Sequence, residues 1–345
     1  LHLWYYSLLN RQVQLAVKLD TQKFEAAIIF QHQKTKTLKK TKTIRMIKTE
    51  KEGLLQLLKI ATPFILITTV YTILVLGLEE YFGDHIYKIS GQIGSVFGLA
   101  VAFFLGFRMN SAYDRWWEAR KIFGELTNNT RSFVAKIYAY YGNEENFKDT
   151  TKTDFKVEAL KLIELSILYI RQLKNEMHHN FKPTFNEQTI AILNEFKINT
   201  ENKISNEILV AITKRIEDNF TSKANIEKGD LMQHINRFYD IQGKAERIKN
   251  TPFLMIYSAF TKIIVSFYVI LIPLFIGDID LGGEESGFEF LAIPIMVIIS
   301  TAFLTINKLA NLYGEPFSEN KTSVTIDDIC KTIEQNCNEV CDKLK

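Results

Sequence analysis

Apolar and polar positions in this 345-residue chain are sorted into blocks rather than mixed. Four blocks are nearly free of charge: residues 60–78, 89–107, 252–277 and 290–307. A helix rises about 1.5 Å per residue, so about 20 apolar residues cross a hydrocarbon core about 30 Å thick. Each block has that length. The third contains one charge, Lys262, close enough to its end for the ammonium to reach the interface. One such block could be the buried helix of a soluble protein. Four in one chain predict four transmembrane helices.

The section between the second and third blocks has helical rather than alternating periodicity. Over residues 155–174, Val157, Leu160, Leu162, Ile163, Leu165, Ile167 and Leu168 form a broad apolar stripe with charges opposite. Residues 185–215 and 230–248 behave similarly. After the fourth block, Thr325 with Asp328 reads as a helix N-cap, and Ile326, Ile329 and Ile333 as the buried face of a C-terminal helix. The fold predicted is an all-α integral membrane protein, its spans continuous with a helical bundle formed by residues 108–250 and 324–345. Residues 46–345 read as a single domain. Residues 1–45 read as a poorly ordered basic extension, or as sequence lying before a true start at Met46.

Charge adds an orientation. Whole-chain figures conceal the blocks, since a mean hydropathy of −0.02 with 23% charged residues would suit a soluble protein. The net charge of +3 leaves no nucleic-acid footprint. Flanking charge says more. The links 79–88 and 278–289 are dominated by acids. The other side carries Arg108, Arg115, Arg120, Lys121, Arg247, Lys249, Lys308 and the basic run at 33–51. Lys and Arg mark the cytoplasmic side, so both termini and the section 108–250 are expected there. Cys330, Cys337 and Cys341 form no CxxC pair and read as reduced thiols on a cytosolic helix.

The second block carries two periodicities side by side. Gly94, Gly98, Ala102 and Gly106 recur every four residues, giving a smooth face on which helix backbones approach closely. Leu99, Phe103 and Phe107 recur every four residues one step round the helix. Two readings stay open on this pattern. Leu and Phe can face lipid while Gly and Ala face neighbouring helices. Alternatively, the bulky face lines a central axis as a dry constriction that gates by dewetting, and the small face meets a symmetry mate.

The sequence that follows favours the second reading. Phe104 to Phe123, FLGFRMNSAYDRWWEARKIF, closely resembles the signature of the bestrophin family. Further resemblance lies in ERIKNTP at 246–252, GEPF at 314–317 and VTIDDICKTIEQN at 324–336. It covers most of Met46 to about Asn336 and is weakest over 140–225. The resemblance implies a homopentameric ion channel in a bacterial inner membrane, with lipid and small inorganic ions as its partners and no cofactor. The family's apolar neck falls on Leu99, Phe103 and Phe107. A second constriction, at the cytosolic exit, is expected at Leu231. Arg108 and Arg115 would mark the inner membrane boundary, and Trp116 and Trp117 would anchor at the interface. Glu118 can pair with Lys121, while Asn110 and Ser111 would wet the pore below the neck. Calcium-activated animal members carry an acidic cluster after the fourth span. Here the corresponding GEPFSENKTS has only Glu315 and Glu319, so no tight calcium site or other metal site is expected.

Rival functions have less support. No GxSxG, HExxH or phosphate-loop pattern is present, and His178–His179 lacks carboxylates at ligand spacing, so an enzyme is not expected. A secondary transporter would need broken helices and mid-membrane charge; Pro273 and Pro294 are the candidate breaks. The resemblance points to chloride and other small anions, with a monovalent-cation channel as the alternative.

Overall fold

The computed structural model describes residues 50–82, 90–141, 146, 155–178, 185, 187–276 and 291–344. Residues 1–45 and the links at 83–89 and 277–290, on which expectations about the extension and the acidic loops rested, lie outside the described residues. Nine α-helices follow one another among the described residues: α1 Glu50–Phe82, α2 Gly91–Tyr140, α3 Phe155–Met177, α4 Glu187–Glu195, α5 Ile204–Asn219, α6 Asn225–Asn250, α7 Met255–Ile276, α8 Ala292–Gly314 and α9 Ile326–Leu344. A 3₁₀ turn at Ser222–Ala224 precedes α6. Helices α1, α2, α7 and α8 are long and apolar enough to cross a membrane, and each covers most of one of the four blocks.

Both prolines that a transporter reading would use as breaks leave their helices intact. Pro273 lies inside α7, which runs on to Ile276. Pro294 falls in the first turn of α8, where the missing N–H has no intrahelical partner to lose.

Within the membrane part, α8 packs against α1, α2 and α7. Val101 and Leu105 of α2 meet Val265, Tyr268, Val269, Ile272 and Phe275 of α7 and Met296 of α8 in one apolar cluster. Hydrogen bonds between helices add direction. Tyr71 donates to the Ile270 carbonyl at 2.6 Å, Tyr257 to the Phe104 carbonyl at 2.9 Å, and Thr68 meets Thr301 at 3.1 Å. Polar atoms in hydrocarbon have few other partners, so such bonds fix how the helices face one another.

Helix α2 is the spine of the molecule. Its 50 residues span about 75 Å, more than twice a bilayer core. The second apolar block and the RWWEAR stretch are therefore one rod. Beyond the membrane it packs against α6 and α9, and α9 packs in turn on α3. The core of this extramembrane body includes Phe123, Leu126, Phe133, Leu162, Tyr169, Phe238 and Ile333, all essentially without exposed surface. Helix α9 starts directly after Thr325, whose carbonyl accepts from the Ile329 N–H at 3.2 Å. Ile326 and Ile333 are buried and Ile329 half-buried against the body, together with buried Cys330 and Cys337. Burial pushes both thiols up to about 12, which keeps them protonated and inert.

Candidate functional site: the exposed face of the second helix

Helix α2 buries one side and leaves the other open along its length. Val101, Leu105, Arg108, Ala112, Ala119, Ile122 and Phe123 are buried. Leu99, Phe103 and Phe107 are 74%, 61% and 54% exposed in a single subunit. Phe103 and Phe107 stand edge to face with ring centroids 4.5 Å apart, so the bulky face is a continuous aromatic ridge. At about 100° per residue, Asn110, Asp114 and Lys121 continue this ridge, and all three are exposed.

The small-residue face divides into two halves with different neighbours. Gly94 and Gly98 are buried against α7 of the same chain, where a Cβ would collide with Phe275 and Tyr268 respectively. Gly106 has open space where its side chain would be, and Ala102 is exposed. This second half floors an open groove of about 600 Å³ between α2 and α8, walled by Met109, Tyr113, Phe303 and Ile306. The period-four pattern is a single feature of the sequence, but only its later half remains free for a symmetry mate.

Arg108, next to Phe107 but on the opposite side of the helix from the ridge, is wholly buried. Its guanidinium donates to the side-chain carbonyls of Asn307 and Asn311 on α8. Both partners are neutral. A guanidinium stays charged in proteins, so its positive charge is hydrogen-bonded but not cancelled by a carboxylate among the described residues.

The signature residues meet motif pieces that are distant in sequence. Arg115 donates to the carbonyls of Ile248 at 2.5 Å and Thr251 at 2.7 Å, at the C-terminal end of α6, and lies 5.9 Å from the Phe253 ring centre. Phe253 fills the space over Gly314, where any Cβ would overlap its ring. Trp116 stands edge-on to Tyr313 at 6.0 Å, and Phe123 to Phe317 at 5.8 Å. Trp117 is 47% exposed, and Glu118 pairs with Lys121 at 2.6 Å on the surface. RWWEAR, ERIKNTP and GEPF thus form one junction where the rod, the α6–α7 link and the end of α8 lock together. Sequence reasoning took the arginine and tryptophans as depth markers and missed this junction. The available signal was Gly314 followed two residues on by a proline, a place for close backbone approach.

Leu231 requires a correction. Its side chain has no exposed surface and lies in the extramembrane core. The cause is helical phase: Leu231, Ile235, Phe238, Gln242 and Ala245 form the buried stripe of α6. One turn or so earlier, Ile226 is 84% exposed, the most exposed of the large apolar side chains on α6.

The chain matches the model of the bacterial and fungal bestrophin proteins over residues 36–339. It belongs to the bestrophin family. That match begins ten residues before Met46. A bacterial bestrophin homologue from Klebsiella pneumoniae, solved as a mutant, superposes on this bestrophin with a TM-score of 0.65 at 19% identity, covering 81% of this chain and 98% of that one. The same homologue in a second crystal structure gives 0.64 at 20% identity, covering 81% and 97%. Among curated proteins, the voltage-dependent anion channel-forming protein of a Nostoc strain is 24% identical over 253 residues, 72% of this chain and 77% of that protein. The corresponding protein YneE of Escherichia coli K12 is 25% identical over 253 residues, 70% and 73% of the two chains.

Proposed function

We propose that this bestrophin is a passive anion channel, a homopentamer whose axial pore is lined by the exposed face of α2. The observation that carries the reading is the uninterrupted open ridge of a 50-residue helix, apolar inside the membrane and polar beyond it. Five such ridges around an axis make a dry neck of Leu99, Phe103 and Phe107, through which ions pass when it wets. The groove over Ala102 and Gly106 receives the adjacent subunit. Ile226 takes the place of Leu231 as the apolar ring at the exit.

Two observations support anions over cations. Similar proteins are named as anion channel-forming. In addition, Arg108 holds a positive charge just behind the neck that no carboxylate among the described residues cancels, and such a charge in low dielectric attracts an anion entering the constriction. Chloride is the abundant small anion that fits. The basic residues at the body end of the spans support a cytoplasmic body with both termini on that side, and spans that cross a bacterial inner membrane. The cation reading draws on the exposed acid Asp114. The reversal potential of purified protein in planar bilayers under a NaCl gradient tests the proposal. It should move toward the chloride equilibrium potential; movement to the sodium potential would overturn anion conduction and leave a channel.

A further inference from the structure

From the charges along the α2 ridge, we infer that Asp114 is a specificity-determining residue of this pore: a carboxylate ring on the body side of the neck that opposes anion entry and makes conduction asymmetric. This rests on the reading that the α2 ridge lines the pore.

Helical phase puts Asp114 on the ridge, within about 20° of Phe103 and Phe107, and its side chain is exposed. Its neighbours on the ridge are neutralised. Lys121 pairs with Glu118 at 2.6 Å, and Glu125 pairs with Lys244 at 2.7 Å. The three nearby arginines are turned away: Arg108 is buried toward α8, Arg115 is held on the carbonyls of Ile248 and Thr251, and Arg120 lies about 120° round the helix from Asp114. Asp114 has no ion pair among the described residues, and its side-chain contact is Asn110, whose amide donates at 3.5 Å. The ridge therefore carries one net negative charge per subunit directly below the neck.

Distance decides whether this charge matters. Asp114 lies seven residues, about 10 Å, along the helix from Phe107. That is about one Debye length at 0.1 M salt, so the ring acts on ions at the neck entrance without being screened out. Symmetry multiplies it, since every copy contributes its carboxylate to one narrow passage, where low-dielectric walls focus the field. The ring lowers anion concentration on the body side only. Anions leaving from that side meet it before the neck, while those entering from the opposite side meet it afterwards. Arg108 and Asp114 thus pull in opposite senses, and the balance between them sets how strongly the pore prefers anions.

The experiment compares wild type, Asp114→Asn, Asp114→Lys and Phe103→Ala in planar bilayers, with reversal potential read under a NaCl gradient and current–voltage asymmetry read in symmetric salt. Asp114→Asn is expected to raise the anion-to-cation permeability ratio by about threefold or more and to straighten the current–voltage curve, with Asp114→Lys moving both further. Raising symmetric salt toward 1 M should straighten the wild-type curve as the ring is screened. If both Asp114 variants keep the wild-type ratio and curvature while Phe103→Ala changes conductance, the inference is overturned and the pore assignment stands. If Phe103→Ala also leaves conduction untouched, the pore assignment itself has failed.

Discussion

Glu164 lies on α3 with one carboxylate oxygen, Oε2, shielded from water and without a hydrogen-bond partner among the described residues. Burial pushes its carboxyl up to about 7, helped by Glu195 and opposed by Arg171 and Lys161. The folded value exceeds the unfolded one, so the folded state holds the proton more tightly and stability falls as pH rises from about 4.5 through about 7. Glu164→Gln keeps the shape and removes the titration. It should raise the melting temperature of the purified protein above pH 7, by up to on the order of 3 kcal/mol in stability, with the gain vanishing near pH 4. An equal effect at both pH values would mean that Glu164 is not the group titrating. Arg108 is the opposite case, a buried charge kept by two asparagine carbonyls. In the sequence both look like ordinary charges, Arg108 at the edge of an apolar run and Glu164 within one. Their burial depends on which neighbouring helix covers them, and spacing alone does not contain that.

At the scale of elements, the junction of α2, the α6–α7 link and α8 holds the rod in place. Arg115 supplies a charged donor to two main-chain carbonyls at the negative end of α6. Just beyond, Leu254 adopts a positive φ of 33°, a strained conformation for a side-chain-bearing residue, so the link is a place where the chain is held by its contacts. Arg115→Gln should loosen residues 248–254 before anything else. Hydrogen exchange of their amides is expected to quicken and stability to drop by about 3–6 kcal/mol, the range for losing two charge-assisted bonds. Unchanged exchange there, with normal oligomers, would show that Phe253 over Gly314 holds the link without the arginine. The sequence made the helices legible because each has its own apolar period. It could not show that three separated motif pieces meet, since their meeting depends on the order in which α7 and α8 pack against α2. The same reason explains Leu231: the resemblance put the exit constriction there, while the core-facing phase of α6, set by its packing on α2, buries Leu231 and sends Ile226 outward instead.

At the scale of the whole molecule, membrane insertion and an all-α fold followed from block lengths, because a bilayer admits few alternatives to helices about 20 residues long. Subunit contacts are less legible. Of the period-four small residues, Gly94 and Gly98 pack within their own chain, while Ala102 and Gly106 stay open beneath the groove. The central claim, that the open ridge of α2 is the pore wall, has a direct test in cysteine substitution along that helix. In a Cys341→Ser background, where the remaining Cys330 and Cys337 are buried, single cysteines are placed at 99, 101, 103, 105 and 107. A charged methanethiosulfonate reagent is then applied while current is recorded. Current should change on modification at 99, 103 and 107 and stay constant at 101 and 105, which face α7 and α8. Equal indifference at all five positions, in channels that conduct, would contradict the assignment of α2 as the pore helix.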